Sequence, residues 1–152
     1  MTDRRVRRAT PDDALAVRRL VDGALLEVGD VESRIDDGDV LVATEPRPTA
    51  AGETRRVLGA VVLETPVRGE TKGVHVAAIA VHRRHRGRGI GTDLLETALE
   101  RAGALTANFD ADVRPFYESL GFDVESIAEG RYRGVQRLES GTERQDDERG
   151  RS

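Results

Sequence analysis

The stretch that decides the fold runs from residue 79 to residue 92 and reads IAVHRRHRGRGIGT. It lies between an apolar, β-rich run, residues 74–81, and a segment with apolar residues at helical spacing that ends at Gly103. Glycines let a backbone turn tightly and approach a ligand closely. Their N–H groups, with the start of the following helix, form an anion site. Four arginines and two histidines surround these glycines, so the stretch predicts a polyphosphate-binding loop.

Two common phosphate-binding loops fit this stretch poorly. A Walker A loop requires Gly-Lys-Ser/Thr after its spacer, and the stretch contains no lysine. A dinucleotide fingerprint requires Gly-x-Gly-x-x-Gly, and a motif that starts at Gly87 has Thr92 in place of its third glycine. A nucleoside triphosphate and a dinucleotide are therefore both disfavoured as ligands.

A second motif follows at residues 116–122, which read FYESLGF. This Phe-Tyr-x-x-x-Gly-Phe segment and the spacing Arg86-x-x-Gly89-x-Gly91 together resemble the GNAT superfamily of acyl-CoA-dependent N-acetyltransferases. The resemblance extends over roughly residues 5–138. It implies an α/β (α+β) fold, in which a mixed, mostly antiparallel sheet of six to seven strands carries helices on both faces and is splayed between its fourth and fifth strands.

The resemblance also implies a site for acetyl-CoA as co-substrate. Backbone groups of Ile79 and Val81 would pair with the pantetheine arm, backbone amides of residues 87–92 would hold the pyrophosphate, and Arg86 would add charge. Arg83, Arg84 or Arg88 would reach the 3′-phosphate. The implied cofactor-binding residues are Ile79, Ala80, Val81, Arg86, Gly87, Arg88, Gly89, Ile90, Gly91, Thr92 and Asp110.

Asp110 departs from the family pattern, which often has Asn at this position and uses it to contact the cofactor. A carboxylate accepts hydrogen bonds but cannot donate them. Asn108 is a nearby substitute, although strand alternation could direct its side chain elsewhere. The sequence leaves open which of the two residues serves the cofactor.

Tyr117 is the catalytic residue that the resemblance implies, because the family places a tyrosine there near the thioester sulfur. A phenol has an ordinary pKa of about 10 and is protonated at neutral pH, so Tyr117 is the candidate general acid for the departing thiolate. The transfer would be direct, with the oxyanion held by a backbone N–H near Val81. The acceptor would be a primary amine of a small molecule or a protein.

A general base for the amine is harder to find in the sequence. Residues 74–81 contain no Asp or Glu, and His75 is the titratable side chain there. An ordinary pKa of about 6.5 suits a base, but a packed or solvated histidine at a strand end is the alternative. A water relay to Glu27, Asp30 or Glu32 is equally open.

The amine acceptor would contact residues 25–39 and the last hairpin. Several acidic residues make the first of these segments acidic, which favours a cationic acceptor; they include Glu27, Asp30, Glu32, Asp36 and Asp37. In an acid-rich chain the same residues could equally form a solvated face.

The whole chain predicts the element order β-α-α-β-β-β-α-β-α-β-β. Residues 45–53, with two prolines and a glycine, are predicted to be a surface hairpin loop. Residues 1–138 are expected to form a single N-acyltransferase domain. Residues 139–152 are polar and charged, which is typical of a disordered tail.

Composition narrows the function classes. The formal net charge of −4 disfavours nucleic-acid binding. The absence of cysteine excludes disulfides and a cysteine nucleophile. We expect a cytoplasmic protein with no membrane segment and no metal, since His82 and His85 alone are too few ligands. The sequence does not decide whether the protein is a homodimer. It also leaves two alternatives to an enzyme: a non-catalytic acyl-CoA-binding module, and a small RNA-binding protein that uses residues 83–88.

Overall fold

Seven strands and four helices follow one another along the described part of the chain, which is residues 4–23, 29–64 and 73–138 of a computed structural model. The strands are β1 Arg5–Arg8, β2 Val40–Thr49, β3 Gly52–Glu64, β4 Val74–Val81, β5 Ala104–Asp110, β6 Asp123–Ala128 and β7 Arg131–Arg137. The helices are α1 Ala14–Gly23, α2 Val31–Asp36, α3 Ile90–Ala102 and α4 Arg114–Ser119. This order agrees with the order predicted from the sequence.

The strands form one mixed sheet in the order β1-β2-β3-β4-β5-β7-β6. β4 and β5 pair in parallel, and the other neighbouring strands pair antiparallel. The parallel pair is joined through α3, as a parallel connection requires. The predicted mostly antiparallel sheet with a division between its fourth and fifth strands is confirmed.

Two hydrophobic cores fill the two faces of the sheet. The first lies under α3 and α4 and includes Leu94, Leu105 and Tyr117. The second lies under α1 and α2 and includes Val17 and Val42. Both faces are therefore covered, which explains why the central strands are apolar along nearly their whole length.

A capped turn fixes the start of α1. Thr10 is the N-cap of a 3-10 turn that begins with Pro11, and the Asp13 carboxylate accepts a hydrogen bond of 2.7 Å from the Thr10 backbone N–H. This reciprocal arrangement satisfies donors that a helix start leaves free. The first helical segment therefore begins at Pro11, directly after its N-cap.

The prediction of a loop over residues 45–53 is wrong. β2 extends to Thr49 and β3 begins at Gly52, so the turn between them is short. β1 pairs with β2 no further than Thr44, and beyond that residue β2 is an edge strand on this side. Pro46 and Pro48 are two residues apart and so direct their ring nitrogens toward the same side of the strand. An edge strand tolerates proline on its unpaired side.

Several predicted features lie outside the described residues. They are the polar tail of residues 139–152 and residues 25–28 of the segment expected to contact the amine, with Glu27 among them. Of the described helices the longest is α3, with 13 residues, and none has the length and apolarity that a membrane crossing demands.

Candidate active site

A cleft opens where β4 and β5 separate. The two strands pair at three positions, from Val74 opposite Leu105 to Val76 opposite Ala107. Beyond these positions both strands continue without pairing to each other, and a cleft of about 370 Å³ lies between them and α4. The carboxyl ends of parallel strands are a common place for a ligand site.

A β-bulge lies on β4 at the mouth of this cleft. Ala78 is opposite Val62 and Val76 is opposite Leu63, so Ala77 is an extra residue with no partner on β3. A bulge bends its strand and interrupts the ladder of hydrogen bonds. The sequence contains no glycine or other signal for a bulge at Ala77, so this bulge could not be predicted from the sequence.

The open edge of β4 carries backbone groups that face the cleft side. The His82 backbone N–H donates to the Leu58 carbonyl of β3 at 2.7 Å. Backbone groups alternate between the two sides of a strand, so those of Val81 and Ile79 face away from β3. Past Val76, β4 has no strand partner on that side within the described residues. The backbone groups of Ile79 and the Val81 N–H are therefore available to an extended ligand, whereas the Val81 carbonyl accepts from Arg86 Nε.

The glycine loop follows the carboxyl end of β4. Gly87 and Gly89 have φ angles of +81° and +82°, a left-handed conformation that side chains strongly disfavour. Gly89 is the N-cap of α3, whose first backbone N–H groups point out of the helix start. Gly91 serves packing instead, because a Cβ there would lie 3.2 Å from Phe116 Cζ. Two glycines thus shape the loop and the third lets α3 and α4 approach.

The loop arginines have distinct surroundings. Arg86 Nε donates to the Val81 carbonyl at 3.3 Å, and Arg88 Nη1 lies 3.2 Å from His85 Nδ1. Both are exposed and lie beside the loop glycines. Ile90, by contrast, is 1% exposed and packs in the α3 core. The Ile90 side chain is therefore not accessible to a ligand, and only the backbone groups of Ile90 could contact one.

Tyr117 forms the floor of the cleft. Its side chain is 4% exposed and stacks on the Phe109 ring at a centroid distance of 4.2 Å. Burial raises the pKa of Tyr117 to about 12, because an apolar environment disfavours the phenolate. Its hydroxyl makes no hydrogen bond to any described residue, although buried hydroxyls usually have a partner. The site therefore holds a protonated donor that no described protein group uses.

Asp110 and Asn108 both line the cleft. They are two residues apart on β5, so strand alternation places them on the same face, contrary to the suggestion that Asn108 could be directed elsewhere. The Asp110 carboxylate accepts a hydrogen bond of 2.6 Å from Arg131 of the neighbouring strand β7. Arg131 could not be assigned to the cleft from the sequence, since its position there depends on the pairing of β5 with β7.

His75 lies just before the point where the strands separate. Its Nδ1 is 2.8 Å from Thr106 Oγ1 on β5, and it does not line the cleft. Burial lowers its pKa, a nearby Glu64 opposes the shift, and Arg133 adds to it. His75 therefore links β4 to β5 through this hydrogen bond, and its lowered pKa favours the neutral imidazole.

The acidic residues considered for a water relay have other partners. The Asp30 carboxylate caps α2 by accepting from the Glu32 N–H at 3.1 Å, and Glu32 forms an ion pair with Arg18. Neither residue lines the cleft. The described part of the chain thus brings neither residue to the cleft.

The two loop histidines also make local contacts. His82 Nδ1 accepts a hydrogen bond of 3.2 Å from the Arg84 backbone N–H, and His85 contacts Arg88. Among the described residues there is no group of three or more side chains suited to hold a metal ion.

The half-buried His75 and the buried His85 predict a loss of stability in mild acid. Burial lowers the pKa of both His75 and His85 below 6.5. As the pH falls below about 6.5, the unfolded chain takes up protons before the folded chain does, so the free energy of unfolding decreases. Urea denaturation between about pH 6.5 and 5 should show this decrease, with a shallower slope in His85→Gln. Equal slopes in wild type and His85→Gln would contradict the prediction.

Comparisons with known proteins agree with this geometry. A family model described as Acetyltransferase (GNAT) domain matches residues 36–124. A GNAT-family acetyltransferase from Listeria monocytogenes is 18% identical, with a TM-score of 0.63 over 89% of this chain and 95% of that one. No curated protein matches the chain.

Two further solved structures share the fold and contain coenzyme A. N-acetylglutamate synthase from Neisseria gonorrhoeae, complexed with coenzyme A and L-arginine, is 17% identical with a TM-score of 0.68. The match covers 89% of this chain but only 33% of that one. Rv2747 from Mycobacterium tuberculosis, in complex with CoA and NLQ, is 19% identical with a TM-score of 0.66 over 88% of this chain and 99% of that one.

The family match covers more than half of the chain, and the fold, with its divided parallel pair followed by a glycine loop, agrees with it. The chain therefore belongs to the GNAT family and is an acyl-CoA-dependent acetyltransferase.

Proposed function

We propose that the protein transfers the acetyl group of acetyl-CoA directly to a primary amine, on a small molecule or a protein. One observation carries this proposal: the buried Tyr117 hydroxyl, which has no described partner, forms the floor of the cleft between β4 and β5. The glycine loop lies at the end of β4, the strand that forms one wall of the same cleft. A donor and an anion site are thus arranged along one extended path.

Acetyl-CoA would follow the open edge of β4 toward the loop. The outward-facing backbone groups of Ile79 and Val81 would pair with the pantetheine amides, as a neighbouring strand would. The amides of residues 87–92 would hold the pyrophosphate, and Arg86 and Arg88 would supply charge. The proposed pantetheine and pyrophosphate contacts are both made by backbone groups, which is consistent with the small side chains along β4.

The pair of Asp110 and Arg131 would compensate for the missing asparagine. Asp110 cannot donate, but Arg131, held at 2.6 Å, retains further N–H groups at the cleft. Asn108 adds an amide on the same face. We propose that the cofactor meets these donors on β5 and β7 rather than a single amide side chain.

The chemistry requires no covalent enzyme intermediate. The neutral amine attacks the thioester carbonyl, a C–N bond forms, and backbone N–H groups on the open edge of β4, near Val81, stabilise the oxyanion. The C–S bond then breaks, and Tyr117 donates its proton to the sulfur as negative charge develops there. The attacking nitrogen loses a proton, which restores the phenol through solvent.

The high pKa of Tyr117 is compatible with this role. A phenol with a pKa of about 12 is a weaker acid than a thiol in water, whose ordinary pKa is about 8.5. The same apolar surroundings that disfavour a phenolate also disfavour a thiolate. Proton donation to sulfur inside the cleft is therefore more favourable than the values in water suggest.

The acceptor amine would enter at the mouth of the same cleft. The acidic segment expected to hold a cationic acceptor is partly committed elsewhere, since Asp30 caps α2 and Glu32 pairs with Arg18. We therefore propose only the reacting group of the acceptor, which is a primary amine. We also propose that residues 1–138 form the single domain that performs the transfer. Proton removal from the amine would use water, because His75 is bonded to Thr106 outside the cleft.

A thermal-shift measurement with acetyl-CoA tests the proposal first. A ligand at about 100 times its Kd stabilises the folded state by about 2.7 kcal/mol, which for a chain of this size raises the Tm by roughly 5–10 °C. A panel of primary amines should then release free thiol from acetyl-CoA. Stabilisation without thiol release from any amine would favour a non-catalytic binding module, and no stabilisation at saturating acetyl-CoA would contradict the proposed site.

A further inference from the structure

A second, larger cleft lies apart from the one between β4 and β5. It has a volume of about 720 Å³ and lies between α1, the β2–β3 hairpin and the turn after β4. It shares no lining residue with the acetyl-CoA cleft. We call it the arginine cleft, since its walls include Arg19, Arg47, Arg55, Arg56 and Arg84.

The charge of this cleft is opposite to that of the whole protein. Five arginines and two aspartates, Asp12 and Asp13, line it, so its side chains carry a net charge of about +3 (5 − 2) in a chain of −4. Asp13 is already compensated, because Arg7 lies 2.7 Å from its carboxylate and helps to hold its pKa below the ordinary range against the effect of burial. A concentration of like charges in a concave surface attracts an oppositely charged ligand.

Two of the arginines are held in place by neighbouring side chains. Arg56 makes two hydrogen bonds, of 2.9 and 2.6 Å, to the buried carboxylate of Glu45. Arg55 Nε donates to Thr44 Oγ1 at 2.9 Å. Glu45 and Arg56 are opposite each other on β2 and β3, and Thr44 and Arg55 are diagonal neighbours on the same two strands. The hairpin therefore holds both guanidinium groups before any ligand arrives.

The other three arginines have guanidinium groups without partners in the described part of the chain. Arg19 on α1, Arg47 on β2 and Arg84 in the turn after β4 make no side-chain hydrogen bond or ion pair there. They come from three separate elements and converge on one cavity. A guanidinium is a planar fork of donors that suits phosphate and carboxylate oxygens.

We propose that the arginine cleft binds a small anion with two or more negative charges, such as a phosphate ester or a polycarboxylate. The anion has two possible sources. It could be a free molecule, or it could be the 3′-phosphate of bound coenzyme A, since Arg84 belongs to the same turn as the glycine loop. The inference concerns a site outside the acetyl-transfer cleft, and its test does not require turnover.

Inorganic pyrophosphate is the probe, and isothermal titration calorimetry is the measurement. It is titrated into the free protein, the complex with saturating coenzyme A, and the complex with saturating 3′-dephospho-coenzyme A. We expect binding in the 3′-dephospho complex, where the glycine loop is already occupied. The double variant Arg19→Gln/Arg47→Gln should weaken this binding by at least about tenfold, because each arginine supplies charge-assisted hydrogen bonds. Arg101→Gln, which removes one positive charge from α3 away from the cleft, should leave it unchanged.

The arms of the experiment separate the two sources. Pyrophosphate binding that persists with coenzyme A identifies a free anion as the ligand, and binding that only the 3′-phosphate blocks identifies coenzyme A. Absence of binding to the 3′-dephospho complex, or binding that the double variant leaves unchanged, overturns the proposal. If coenzyme A itself does not bind, the titration of the free protein and its variants still tests the arginine cleft.

Discussion

Replacing Tyr117 with phenylalanine is expected to lower kcat by about 100-fold, the low end of what a positioned general acid contributes. The Kd of acetyl-CoA should stay nearly unchanged, because the ring contacts with Phe109 and Phe122 remain. Steady-state kinetics with a saturating amine, together with equilibrium binding of acetyl-CoA, measure the two quantities separately. Unchanged kcat in Tyr117→Phe would remove this hydroxyl from the mechanism.

The melting temperature of Tyr117→Phe is a second measurement on the same variant. The Tyr117 hydroxyl is buried without a described partner, and removal of an unsatisfied buried group is nearly neutral or stabilising. The Tm of Tyr117→Phe should therefore equal or exceed that of the wild type while turnover falls. Tyr132→Phe is the matched control, since Tyr132 also packs near Phe109 but does not line the cleft. Its kcat should be close to that of the wild type.

Replacing Gly89 with alanine is expected to weaken acetyl-CoA binding by roughly tenfold to a hundredfold. Gly89 has a φ of +82°, and an L-residue in this conformation costs about 1–2 kcal/mol. Relief of this strain would turn the loop amides away from the pyrophosphate, and charge-assisted hydrogen bonds of about 1.5–3 kcal/mol would be lost. Calorimetric titration with acetyl-CoA measures the change in Kd.

Gly103→Ala is the control for backbone strain alone. Gly103 ends α3 with a φ of +85°, and a Cβ there would meet no atom within 4 Å. A Cβ on Gly89 would meet only Arg4 Nη2 at 3.8 Å, an ordinary contact. Both variants should therefore lose similar stability, and only Gly89→Ala should lose affinity. Equal acetyl-CoA affinity in the two variants would contradict a phosphate-binding role for the loop.

Local sequence was sufficient for the order of elements and for the glycine loop. Thr10 and Pro11 start the first helical segment through contacts within four residues. Glycine is needed at positions 87 and 89 because of the backbone angles there, so the loop can be predicted without knowing which residues surround it. The loop of the hairpin over residues 45–53 was predicted too long because the tolerance of Pro46 and Pro48 in a strand depends on where β1 ends, which is not a local property.

The amino-acid sequence by itself thus determined the strand–loop–helix that we propose as the anion site, along with the order of the surrounding elements. Tertiary structure decided the rest: the separation of β4 from β5, the bulge at Ala77, the burial of Tyr117 and the convergence of arginines from three elements. The physical reason is that backbone angles and caps depend on neighbours within a few residues. Cleft shape, pKa and local charge density depend on groups that are distant in sequence and meet only after the sheet has formed.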